Sequence, residues 1–148
     1  MQDPRPALAD ALKAAMKNKD SARRDVIRNL NGAIKQAEID GQHELSAEDV
    51  VAILQKEAKK RRESIDEYGK AGRDDLVAGE QAELVIIEEF LPQQMDEAQV
   101  IAIVQAVIAE VGATSPADMG KVMGPVMAQV KGVADGKMVN RIVKEQLG

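Results

Sequence analysis

The chain has 148 residues, no cysteine or tryptophan, one histidine, one tyrosine and one phenylalanine, and its 25 acidic and 20 basic residues leave a formal net charge of −5. That set excludes a disulfide scaffold, a thiolate metal site, a histidine metal cluster and a histidine-centred triad, and it supplies no aromatic platform for stacking unpaired bases. The acidic balance also excludes a protein that coats nucleic acid through bulk charge, while leaving local basic patches open.

No run approaches the roughly 18 apolar residues of a membrane span, and the N-terminus MQDPRPALADALK lacks the apolar core of a secretory signal. A cytosolic protein with no membrane partner is expected.

Helical periodicity runs along the whole chain, so the expected fold is all-α. A short amphipathic helix from Ala7 to about Asn18 places Leu8, Ala11, Leu12, Ala15 and Met16 on one stripe, after an extended lead-in at Pro4 and Pro6. Asp20 can cap a second helix in which Ile27, Leu30, Ile34 and Ala37 share a face, ending before Gly41. Ser46 with Asp49 three residues later makes a capping-box start for a long third helix. Its seam is Val50, Ile53, Leu54, Ile65 and Tyr68, and Gly69 and Gly72 end it. A fourth helix from about Asp74 carries Leu76, Val77, Leu84, Ile87 and Leu91 and stops at Pro92, with LPQQM as a linker.

Asp96 caps a fifth helix that turns Val100, Ile101, Val104, Val107, Ile108 and Val111 inward and closes at Gly112. Its β-branched residues would suit a strand, but its length and alanines favour a helix. Ser115, Pro116 and Asp118 give the N-cap, first-turn proline and capping carboxylate of a sixth helix, which Lys131 and Gly132 close. Asp135 begins the last helix, burying Met138, Val139, Ile142, Val143 and Leu147 and leaving Lys137, Arg141 and Lys144 outside. The division expected is a four-helix N-terminal subdomain, residues 1–92, followed by a three-helix C-terminal subdomain, residues 93–148.

The sixth helix has an unusual rhythm. Met119, Met123 and Met127 recur every four residues, as do Val122, Val126 and Val130, so all six fall on one apolar stripe. The opposite side holds Gly120, Gly124 and Ala128, leaving Lys121 as its one long side chain. Such a low surface admits another backbone, and contact with a partner is one reading. The other is that Gly-x-x-x-Gly marks close helix packing and Gly132 a helix stop. The methionines read as core, with an adaptable protein-binding groove as the alternative.

The densest basic cluster, Lys56, Lys59, Lys60, Arg61 and Arg62, can be read as a nucleic-acid contact beside Arg23, Arg24 and Arg28. The i,i+4 pairs Glu57–Arg61, Lys59–Glu63 and Arg62–Asp66 favour a self-neutralising solvated helix instead. Glu57 and Arg61 also project near the apolar seam, as a partly buried ion pair would. Glu80, Glu83, Glu88 and Glu89 lack histidine or aspartate ligands nearby and read as solvated. His43 lies in a turn, and no serine sits in a nucleophile elbow. No catalytic residue, metal or cofactor is expected.

The succession KAAMK (13–17), VIRNL (26–30), KKRRESIDEYGKAGRDDL (59–76), EEFLPQQ (88–94) and DMGKVMG with VKGVADGK resembles the YqeY family over nearly the whole chain. Those proteins are stand-alone relatives of the tail domain of the B subunit of tRNA-dependent Asp/Glu amidotransferases, most alike in the GKVMG, VKG and DGK portion. The resemblance implies a four-plus-three helical fold and an association with carbon–nitrogen ligase activity using glutamine as amido-nitrogen donor. In the larger enzyme the tail helps hold the tRNA body, and a separate cradle domain performs the chemistry. These residues contain no counterpart of that cradle.

With tRNA as the implied partner, Lys121, Lys131 and Lys137 become the candidate phosphate contacts, with Arg141 and Lys144 further out. Gly120 and Gly124 would admit a sugar–phosphate backbone, Gly132 belongs to the same VKG element, and free N–H groups lie near Gly136. From Met119 to Gly148 five basic residues face two acidic ones, Asp135 and Glu145, against the acidic whole. Two further readings are an adaptor docking on other proteins, amidotransferase subunits included, and an enzyme of amide transfer. An autonomous transferase would need an activated nucleophile and an ammonia source, and the sequence offers neither.

Overall fold

In the computed structural model, which describes residues 1–148, the chain forms seven α-helices, one short 3-10 helix and no strand. The helices are α1 (Arg5–Lys17), α2 (Ser21–Gly41), α3 (Ala47–Lys70), α4 (Asp74–Glu88), α5 (Glu97–Val111), α6 (Met119–Val130) and α7 (Gly136–Leu147), with the 3-10 helix at Pro116–Asp118. Backbone contacts group the chain into two compact units, Met1–Pro92 and Gln93–Gly148.

In the first unit, Leu8 of α1, Ile27 and Leu30 of α2, Val50, Leu54 and Ala58 of α3 and Ile87 of α4 share one core, all fully buried. Each buried Leu, Ile or Val contributes roughly 1.5–3 kcal/mol relative to exposure. The expected capping box is present: the Asp49 N–H donates to Ser46 Oγ at 3.1 Å, and the Ser46 N–H to Asp49 Oδ2 at 3.0 Å.

Several boundaries differ from expectation. Helix α1 begins at Arg5, two residues early, with Pro4 helical and Pro6 inside the first turn. The first turn has N–H groups without intrahelical partners, so proline costs nothing there. Gly69 lies inside α3, and Gly72, at φ +71°, ends it. Helix α4 stops at Glu88, and the next three N–H groups bond three residues back, tightening the turn ahead of Pro92. Met16 is 52% exposed, and Leu76 and Val111 are each 36% exposed, although all three were expected inside.

The second unit has a valine core: Val100, Val104 and Val107 of α5, Val122, Val126 and Val130 of α6, and Val139, Ile142 and Val143 of α7. Met119, Met123 and Met127 are only half-buried and pack along its margin. Asp96 caps α5 through the Gln99 N–H at 2.8 Å. Ahead of α6 the chain makes the 3-10 turn, and Asp118 accepts from the Thr114 N–H at 2.9 Å, bracing the approach to the helix rather than capping it. Pro125 lies within α6, where it removes one ladder hydrogen bond.

No single helix is long and apolar enough to cross a membrane; α5 with the segment Pro116–Val130 passes that test only as a pair bent by 93°. The apolar faces of that pair are turned into the valine core, which α7 completes.

Candidate nucleic-acid interface

Helix α6 buries one side and bares the other. Gly120, Lys121, Gly124, Pro125 and Ala128 are all exposed. A Cβ built on Gly120 or Gly124 meets nothing within 4 Å, so neither glycine makes room for another helix of this chain. Lys121 stands over this face, its Nζ 3.7 Å from Asp118 Oδ1.

The turn between α6 and α7 is built differently. Gly132 is buried at φ +81°, a left-handed conformation that side chains resist. Its carbonyl accepts from Gln94 Nε2 at 3.0 Å, and the neighbouring Val133 carbonyl accepts from the Met95 N–H at 2.7 Å. The segment expected to be a linker is thus bonded to this turn by residues 94 and 95. Gly132 serves the turn, with Lys131 exposed beside it.

On α7, Asp135 caps the helix through the Lys137 N–H at 3.3 Å. Gly136, Lys137, Asn140, Arg141, Lys144 and Glu145 line a shallow depression of ≈ 530 Å³. The structure therefore brings Lys137, Arg141 and Lys144 together, whereas Lys121, Lys131 and the α6 glycines lie outside this depression. Lys137 and Lys144 form no ion pair. Arg141 is committed: Nη2 donates to Glu97 Oε1 at 2.8 Å and Nη1 to Glu145 Oε1 at 3.0 Å. With Glu97 and Asp118 counted, the local basic excess falls from three to one.

Three features escape the sequence reading. Glu97 pairs with a residue 44 positions away, beyond any helical period. Asn140 lies on the same face as Lys137, Arg141 and Lys144, a position that its i,i+3 and i,i+4 spacing to Lys137 and Lys144 would have signalled. Pro125 is visible in the sequence, but its place beside the bare glycine face emerges only from the fold.

In the α3 cluster Lys60, Arg61 and Arg62 are engaged by carboxylates, whereas Lys56 is exposed. Arg61 Nη1 donates to Glu57 Oε2 at 2.9 Å, with both residues only 8% exposed. Lys60 also reaches Glu57, and Arg62 lies 3.9 Å from Glu88 of α4 rather than pairing with Asp66. Arg23 turns to Glu89 at 2.6 Å and lies over the Phe90 ring. His43 is exposed, its Nδ1 2.9 Å from the Gly41 carbonyl. No three acidic, histidine or cysteine side chains gather closely enough to hold a metal ion.

Residues 5–147 match the family model described as Yqey-like protein. The chain is also similar to the Altered inheritance of mitochondria protein 41, mitochondrial, of the fungus Pyrenophora tritici-repentis, at 30% identity over 97% of this chain and 80% of that protein. The protein of the same name from Meyerozyma guilliermondii is 42% identical over 54% of this chain and 42% of its own length. The one from Saccharomyces cerevisiae is 40% identical over 55% and 45%. The matched regions thus span less than half of either yeast protein.

These names overturn the expectation of a cytosolic protein, because the relatives are mitochondrial. That expectation rested on the lack of a secretory core and of a membrane span. Neither feature bears on routing to mitochondria, whose leaders are amphipathic and basic rather than apolar.

Proposed function

This chain belongs to the Yqey-like protein family, and we propose that it is a noncatalytic module that binds tRNA through the exposed face of its C-terminal unit. The observation that carries this is Gly120 and Gly124, two exposed helical glycines against which nothing in the chain packs. A glycine inside a helix costs about 0.5–1 kcal/mol relative to alanine. Gly32, Gly69 and Gly79 are likewise exposed within helices with nothing packed against them, so what sets this face apart is the pairing of Gly120 and Gly124 one helical turn apart beside Lys121. Lys121 stands on that face, and Lys131, Lys137 and Lys144 are exposed on the turn and helix that follow.

The resemblance to the amidotransferase tail supplies the choice of tRNA, and with it a division into a four-helix subdomain, residues 1–92, and a tail-like three-helix subdomain, residues 93–148. Recognition would address phosphate and sugar, since no aromatic ring in the second unit can stack a base. A second reading, docking onto a protein such as an amidotransferase subunit, is favoured by the half-buried Met123 and Met127 on the same helix.

Filter binding of tRNA across a salt series tests the proposal. Reversing Lys121, Lys131 and Lys137 to glutamate is expected to flatten the slope of log affinity against log salt by about 2–3. Unchanged affinity and slope would reject this surface. Recovery of a protein partner without RNA would favour the second reading. Glutamine- or ATP-dependent turnover with charged tRNA is not expected, and its detection would overturn the noncatalytic assignment.

A further inference from the structure

Helix α1 ends in a Schellman turn: the Asp20 N–H donates to the Ala15 carbonyl at 2.9 Å and the Lys19 N–H to the Met16 carbonyl at 3.3 Å. The residue closing such a turn is left-handed and usually glycine. Where α3 and α5 end, this chain uses Gly72 at φ +71° and Gly112 at φ +70°. Here Lys19 takes the position at φ 55°, and Gln42 is the one other residue with a side chain in that region. A lysine held where glycine would be free of strain points to a use for its side chain.

Its surroundings are strongly basic. Lys19, Arg24 and Arg28 line a depression of ≈ 190 Å³ with Met16 and Asp20. Lys13 and Lys17 are exposed on the adjoining surface of α1. From Lys13 to Arg28 there are six basic residues and two acidic ones in a chain of net charge −5. Asp20 caps α2 through the Arg23 N–H, and Asp25 pairs with Arg24 at 3.0 Å. Lys13, Lys17, Lys19 and Arg28 have no ion-pair partner.

We propose that this α1–α2 corner is a second contact for the phosphate backbone of structured RNA, centred on Lys19. It rests on the RNA-binding reading above and assigns a share of that binding to the other unit. Lys13 and Lys17, like Arg24 and Arg28, are one helical turn apart, about 6 Å along the axis. Cations spread over two helices address a succession of phosphates rather than one small anion. A lipid surface fits less well: Met16 is the one large exposed apolar side chain of the corner, and an interfacial helix needs a broad apolar face.

The test uses the full chain, with fluorescence anisotropy on a tRNA and on a mixed-sequence RNA duplex across a salt series. Lys19→Gly is expected to raise Tm by relieving the left-handed backbone while weakening RNA binding about threefold. Lys19→Glu with Arg28→Glu is expected to weaken binding about tenfold or more and flatten the salt slope by about 2. Unchanged RNA affinity in both variants overturns the proposal. If the Lys121, Lys131 and Lys137 reversal still weakens binding in that case, the C-terminal surface stands alone. The converse pattern supports the corner and removes the C-terminal surface. Wild-type protein that binds neither RNA overturns both. Binding to anionic phospholipid vesicles that the charge reversals abolish, with RNA binding unchanged, overturns the proposal in favour of a lipid surface.

Discussion

Arg141 joins α7 to the first turn of α5 by donating from Nη2 to Glu97 Oε1 at 2.8 Å. This bond, and then the one to Glu145, holds the guanidinium above the ordinary arginine range. A cation held between two carboxylates must release them before it can reach a phosphate. If the C-terminal unit binds tRNA as proposed, Glu97→Gln is therefore expected to raise that affinity about twofold to fivefold at low salt and steepen the salt slope by up to about one. Filter binding measures both, and no change would place Arg141 outside the interface.

Gly132 closes the α6–α7 turn at φ +81° while buried. Gly132→Ala is expected to destabilise the second unit by about 1–2 kcal/mol, the cost of a left-handed residue with a Cβ. Gln94→Ala should cost about 1 kcal/mol through loss of the hydrogen bond to the Gly132 carbonyl. Urea unfolding reads both, and a neutral Gly132→Ala would show that the turn relaxes.

Glu57 and Arg61 are buried together, and Arg61 Nε has no hydrogen-bond partner although Glu83 Oε2 lies 3.8 Å away. Arg61→Ala strands the Glu57 charge with only the exposed Lys60 beside it and is expected to cost about 3 kcal/mol. Replacing the pair by Glu57→Leu with Arg61→Met should recover most of that loss, because an apolar pair pays no desolvation. Denaturation of the single and double variants decides this. A double variant as unstable as Arg61→Ala would show that the charged side chains themselves, including the approach of Arg61 to Glu83 of α4, are needed for stability.

The Thr114 N–H is the largest influence holding the Asp118 carboxyl below its ordinary value, with a smaller contribution from Lys121. A lowered folded pKa means that its stabilisation is present above the unfolded value of 3.8 and is lost as pH falls through the folded one. Hydrogen exchange at the Thr114 amide should accelerate, relative to neighbouring amides, as pH drops below that value. Asp118→Asn should remove this acid response, and an identical response in the variant would assign it to another group.

The legible parts of the fold are those whose cause is local. The Ser46–Asp49 box, the Asp96 cap and the helix-ending Gly72 and Gly112 each satisfy or end a helix within a few residues, so spacing alone reveals them, while the reciprocal bond between the Asp96 N–H and the Gln99 side chain emerges in the structure. A helical period gives the direction of a side chain but not how much covers it. Met16 and Met123 thus read as core, yet lie at a margin, exposed and half-buried respectively. At the site, spacing identifies the bare side of α6 and the basic side of α7. It cannot reveal Glu97 across the bundle from Arg141, nor Gln94 bonded to Gly132, because both depend on tertiary packing.

The bare face of α6 can be filled without disturbing the fold, since a Cβ at Gly120 or Gly124 meets nothing of the chain within 4 Å. Gly120→Gln with Gly124→Gln replaces poor helix formers by good ones and is expected to stabilise the protein by roughly 1 kcal/mol. If tRNA approaches this face, the same variant should bind it about tenfold more weakly, a loss of about 1.4 kcal/mol. Thermal unfolding and tRNA filter binding on one preparation separate the two effects. Greater stability with weaker binding is the expected result, and greater stability with undiminished binding would contradict an RNA-binding role for this face.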